Sequence, residues 1–85
     1  MQVLIPSALR SYTEHGTVEA RGETLAAVLA DLEQRYPGIR FRMLDEQQQI
    51  RPHIRFFFAG EQLRDLTQAL HADGELIIVQ ALSGG

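Results

Sequence analysis

Apolar positions recur along this chain with two different periods, and each change of period marks a new element. The opening Gln2-Val3-Leu4-Ile5 is strand-like, and a first strand near Val3 to Ile5 ends at Pro6, whose missing N–H cannot continue a central ladder. Ser7 stands where it can cap a short helical turn running through Tyr12. After the turn signal His15-Gly16, Thr17-Val18-Glu19-Ala20-Arg21 alternates with period two. That alternation predicts a second strand pairing back on the first, with Gly22 closing the unit.

The period then lengthens. Leu25 is followed by Val28, Leu29, Leu32 and Tyr36 at offsets of 3, 4, 7 and 11, which collects them on one helical face, and Thr24 occupies the N-cap position. Pro37-Gly38 ends this helix, because proline disfavours a helical residue before it and glycine tolerates the turn. Ile39 to Leu44 reads as a further helical turn, and Asp45 to Arg51, with Gln47-Gln48-Gln49, as a solvated loop. His53 to Ala59 is a β-rich run, Gly60 and Glu61 mark a turn, and Leu63 to Leu70 is mixed. Asp73-Gly74 announces a last strand over Glu75 to Leu82.

The order strand, strand, helix, strand, short element, strand predicts an α+β fold, a mixed sheet of four to five strands packed on one main helix. A right-handed helical crossover returns the chain parallel to a strand of the opening hairpin. The last strand then lies inside the sheet and projects Ser83, Gly84 and Gly85 beyond its edge. With no linker or repeat, the reading is one domain over residues 1–82 and a flexible tail over residues 83–85.

Composition narrows the function. A chain of 85 residues buries only about 60% or somewhat more of its unfolded surface, which leaves little room for an enclosed active site and argues against a self-contained enzyme. The formal net charge of −3 offers no polybasic signature for nucleic acid or an anionic membrane. The absence of cysteine excludes disulfides, Cys-ligated metals and thiol catalysis, so any sulfur must come from a partner. No basic leader and no apolar run of about 18 residues is present, which makes a cytoplasmic location the expectation. His15, His53 and His71 lack metal-ligand spacing. Ser11, Ser83 and Asp73 form no nucleophile constellation, and no Gly-rich phosphate loop follows a strand. All eight basic residues are arginine. Two readings stay open: protection of an activated terminus from self-acylation, or codon bias.

The apolar run Leu76 to Leu82 leads directly to Ser83-Gly84-Gly85, and this Gly-Gly terminus makes the last carboxylate the expected working group. Glycine, with no Cβ, leaves an extended backbone free to approach a partner closely. With these features in order, the chain resembles the ubiquitin-like β-grasp sulfur carriers, the MoaD and ThiS group. The resemblance rests on the opening strand with Ala8-Leu9-Arg10, on Gly22-Glu23-Thr24-Leu25, on Asp73-Gly74-Glu75 and on the terminal Gly-Gly, and it covers essentially the whole chain. Arg55 to Leu63 is similar to the third strand and following turn of ubiquitin. Ile5-Pro6-Ser7-Ala8-Leu9-Arg10, Gly22-Glu23-Thr24-Leu25 and Tyr36-Pro37-Gly38-Ile39 look closest to carriers serving cysteine biosynthesis or related sulfur pathways. The Pro-Pro common before the tail of molybdopterin synthase small subunits is replaced by Gln80-Ala81.

The resemblance implies a mechanism and a set of partners. A ubiquitin-activating-type adenylyltransferase would use ATP and Mg²⁺ to make the Gly85 acyl-adenylate. A sulfide or persulfide donor would convert it to a thiocarboxylate, and a downstream synthase would accept the sulfur. The chain itself would bind no cofactor, metal, nucleic acid or membrane. Gly84 would serve tail threading, and Ser83 would leave the approach unobstructed. Strand alternation separates Phe56 from Phe57, and the ubiquitin likeness implies that Val3, Ile5, Phe56, Leu76 and Ile78 face the helix. Leu4, Phe57, Ile77 and Val79 would then face outward as a partner patch, with Arg55 and Arg64 at its rim. Two alternatives use the same fold: a ubiquitin-like modifier or docking module, and the small subunit of a molybdopterin synthase.

Overall fold

A computed structural model of the chain describes residues 1–81. Strands β1 (Gln2–Leu4) and β2 (Thr17–Glu19) form an antiparallel hairpin. Between them lie a 3-10 turn over Ser7–Leu9 and the single-turn helix α1 (Arg10–Thr13). Helices α2 (Leu25–Arg35) and α3 (Ile39–Met43) follow, then β3 (Ile54–Phe58), β4 (Glu61–Leu63) and β5 (Glu75–Gln80). The five strands make one sheet in the order β2-β1-β5-β3-β4, and β5 runs parallel to β1 and antiparallel to β3. The last strand is therefore central, as the crossover rule required.

One apolar cluster holds the layers together. From the sheet it takes Val3, Ile54, Phe56, Leu76 and Ile78, from the residue just past β1 Ile5, and from α2 Leu25, Val28, Leu29 and Leu32, all buried. Each such side chain contributes about 1.5–3 kcal/mol on leaving water. Tyr36 packs against the cluster from the end of the stripe.

The start of α2 is secured on three backbone donors. The Ala27 N–H donates to Thr24 Oγ1 at 3.2 Å. The Leu25 and Ala26 N–H groups donate to the carbonyls of Gln68 (3.1 Å) and Leu66 (2.8 Å). The segment after β4 thus does for the helix what a second cap would, since the first N–H groups have no partner inside the helix. Gly22 is required by closeness: a Cβ there would stand 2.6 Å from Val28 N and 2.8 Å from Ala27 C. At the far end Gly38 takes φ 99°, and Glu33 accepts from the Gly38 and Arg40 N–H groups, both at 2.9 Å. That carboxylate fixes the turn from α2 into α3.

Several boundaries move from their sequence expectation. The first strand stops at Leu4; Ile5 is still tied across the hairpin through its N–H to the Gly16 carbonyl at 2.8 Å. Ser7 caps nothing, because Pro6 is the N-cap and no side chain bonds there. The second strand ends at Glu19 rather than Arg21, and the last at Gln80 rather than Leu82 within the described residues. The expected turn at Gly60-Glu61 lies one residue earlier: Ala59 and Gly60 both take positive φ (53° and 81°), and Phe58 pairs directly with Glu61. Two central residues of that kind close a tight hairpin whose twist matches its strands. The mixed element expected over Leu63 to Leu70 overlaps this edge strand only at Leu63.

Candidate functional site

The strand that leads to the tail has a neighbour on both sides. β1 holds it on one side, and β3 holds it on the other over five paired positions, from Phe58 opposite Leu76 to Ile54 opposite Gln80. One residue further, the Ala81 N–H donates to the His53 carbonyl at 2.8 Å. Sheet pairing thus guides the chain as far as Ala81. Ser83, Gly84 and Gly85 lie outside the described residues, as does the boundary at residue 82.

Register brings the outward residues together. Thr17, Leu4, Ile77, Phe57 and Gln62 stand opposite one another in a single row across all five strands. Val79, two residues along β5 from Ile77 and opposite Arg55, extends the row toward the tail. Leu4, Phe57 and Ile77 are half-buried, Val79 is 38% exposed, and Phe56 on the other face is 0% exposed. The sheet's outer face therefore carries a contiguous apolar band on three adjacent strands.

The arginines expected at its rim behave differently from each other. Arg55 folds back along its own strand, its Nη1 donating to the carbonyls of Pro52 and Ile54. Arg64 reaches to Gln62 Oε1 at 3.2 Å, bracing the end of the apolar row. Both line an open groove with Arg51, Ile50 and Leu63 at the β3–β4 edge.

A residue not singled out from sequence is the most exposed large apolar side chain described: Phe41, 56% exposed on α3. Arg51 lies over its ring at 4.6 Å and donates from Nε to the Phe41 carbonyl at 2.8 Å. Ile39 and Met43, at i and i+4, take the buried face of α3, which turns Phe41 between them outward. Phe41, Arg42, Arg51, His53 and Gln80 line a second cleft beside the exit of β5.

Three carboxyl groups are held below their ordinary range, all away from the apolar row. Asp31 is lowered chiefly by the Arg21 backbone N–H, helped by Arg35. Glu33 is lowered by the N–H groups of Gly38 and Arg40. Asp65 is lowered by the backbone and side chain of Thr67. These are loop and helix-end locks. Among the described residues no cluster of three His, Asp or Glu side chains could hold a metal, and no helix is long and apolar enough to cross a membrane.

A mixed five-stranded sheet of this order on one long helix is the ubiquitin-like β-grasp. Within that class the chain belongs to the ThiS family, whose model matches residues 3–85. The sulfur carrier protein CysO of Mycobacterium tuberculosis is 37% identical over 90 residues, taking in 98% of this chain and 96% of that protein. A chain of the Amycolatopsis orientalis BexX/CysO complex superposes with a TM-score of 0.91 at 31% identity, covering 99% of this chain and 98% of its own. SAMP1 of Haloferax volcanii superposes with a TM-score of 0.80 at 25% identity, covering 100% and 98%.

Proposed function

We propose that this chain is a sulfur carrier, a co-substrate of partner enzymes, and that its Gly85 carboxyl group bears the sulfur. The observation that carries the reading is the 37% identity to CysO sulfur carriers over nearly the full length of both chains. A carboxylate with a pKa of about 3.3 to 3.7 is ionised at neutral pH and is a poor electrophile. In the proposed cycle a carboxylate oxygen of Gly85 attacks the α-phosphorus of ATP on an adenylyltransferase and displaces pyrophosphate. Hydrosulfide from a donor then attacks the acyl carbon, forming the C–S bond as the C–O bond to AMP breaks and AMP leaves with the electron pair. The thiocarboxylate so formed is the carried group. A downstream synthase takes it up, and the motifs shared with the cysteine-biosynthesis carriers favour an acceptor of that kind.

In this proposal the apolar row of Leu4, Phe57 and Ile77, with Val79 beside it, seats the activating partner, and Gly84 threads the tail. A partly exposed aromatic flanked by aliphatics suits such an anchor. The crystallised complex of a CysO with BexX supports the expectation that carriers of this type engage a protein partner. The likeness to SAMP1, a small archaeal modifier protein, favours a second reading in which the same acyl-adenylate is captured by a lysine amine. ATP–pyrophosphate exchange by a cognate adenylyltransferase tests the shared step. Exchange should require this chain and vanish when Gly85 is deleted; no exchange from an enzyme active on another carrier would refute it.

A further inference from the structure

Half of the arginines gather at one end of the sheet. Arg42 and Arg51 line the cleft beside Gln80, and Arg51, Arg55 and Arg64 line the adjoining groove, so Arg51 joins the two. None of the four makes an ion pair among the described residues, where the side-chain pairing found is Arg35 with Asp31. Neighbouring carboxylates are committed to their own loops: Asp45 accepts from the N–H groups of Gln47 and Gln49, and Asp65 from Thr67. At the opposite end of the sheet Glu19 and Glu75 flank Gln2 in register. A chain with net charge −3 therefore carries a local positive collar, with the exposed Phe41 ring held under Arg51 at its centre.

Position says what this collar meets. Gly85 lies five chain steps beyond Gln80, and a fully extended chain of that length spans at most about 17 Å. A protein that takes hold of the Gly85 carboxylate is thereby brought against the Phe41–Arg51 cleft. We infer that the cleft and its arginines form a second docking surface, separate from the Phe57 row, that seats a carboxylate-rich face of the protein that activates the tail. The inference rests on the carrier reading. Charge complementarity selects an acidic protein surface over a nucleic acid, because a long polyanion would also meet the acidic opposite end. Arg51 is already fixed by its bond to the Phe41 carbonyl, so little side-chain freedom is lost on binding.

The test is calorimetric titration of the cognate adenylyltransferase with the full chain at low and high salt, with pyrophosphate exchange run at saturating carrier. Phe41→Ala, and Arg42→Gln with Arg51→Gln, should each weaken binding on the order of tenfold. The arginine pair should also flatten the salt dependence. Arg21→Gln, which removes one positive charge at the far end, should leave affinity and salt dependence as in the parent. Exchange at saturation should stay at the parent level in every variant, and thermal melts should confirm that each is folded. Parent-like affinity in the collar variants while the tail is still activated would overturn the second surface alone. So would an equal effect from Arg21→Gln, which would show a response to net charge. Absence of both binding and exchange for the parent chain would overturn the carrier reading and this inference with it.

Discussion

Two adjacent phenylalanines should answer truncation in opposite ways. Phe56 is 0% exposed within the core that α2 covers, whereas Phe57 lies half-buried on the outer face opposite Ile77 and Gln62. Replacing a fully buried Phe with Ala costs about 3–5 kcal/mol once the cavity is counted. At about 0.05–0.15 kcal/mol per residue, an 85-residue domain has about 4–13 kcal/mol in all. Phe56→Ala should therefore lower the melting temperature by at least about 12 °C or leave the chain unfolded. Phe57→Ala removes a ring that is mostly but not fully buried and leaves no enclosed void, so about 1–2 kcal/mol, or about 4–16 °C, is expected. At the partner the order reverses: loss of a central aromatic anchor of about 2 kcal/mol weakens binding roughly 30-fold. Thermal and urea denaturation, with titration of the adenylyltransferase, measure both sides. Equal destabilisation by the two substitutions would place Phe57 in a second core, and unchanged partner affinity would refute the anchor.

Three further outcomes follow from the packing and the caps. Gly22→Ala drives a Cβ into the backbone of α2 and should cost about 1–3 kcal/mol by overpacking, read as a lower urea midpoint. Thr24→Ala removes the hydroxyl that accepts from Ala27 and should cost about 1 kcal/mol, a fall of about 4–8 °C in melting temperature. Asp31, Glu33 and Asp65 have folded-state pKa values below their unfolded ones. Their stabilisation is therefore fully present above about pH 5 and is lost as pH falls through the lowered folded values. Melting temperature should be level from pH 7 to about 5 and drop below about 4, and the penalty of Glu33→Gln should shrink across the same acid range.

How much of this was legible in the sequence differed by element. The helical face from Leu25 to Leu32 and its Thr24 cap were readable because period and cap are local signals, and they appear as expected. The central place of β5 followed from chain order and crossover geometry, and the separation of Phe56 from Phe57 from strand alternation. What escaped was non-local or depended on backbone sign. Ser7 looked like a cap, yet Pro6 holds that position. Alanine rarely takes positive φ, so local sequence points to Gly60-Glu61 as the turn, whereas Ala59 and Gly60 form it and Glu61 begins β4. No local pattern told that the Leu66–Gln68 backbone would complete the start of α2. Phe41 was overlooked because a five-residue helix is too short for periodicity to stand out, and its partner Arg51 reaches it from the loop before β3.

The central claim is that Gly85 carries sulfur, and intact-protein mass spectrometry addresses it most directly. The full chain is incubated with ATP, Mg²⁺, a cognate adenylyltransferase and a sulfide donor, beside a chain lacking Gly85. The expected result is a mass rise equal to one oxygen exchanged for one sulfur, localised to Gly85 and absent from the truncated chain. An unchanged mass while the same enzyme activates another carrier, or a persistent protein adduct in place of the sulfur exchange, would contradict it.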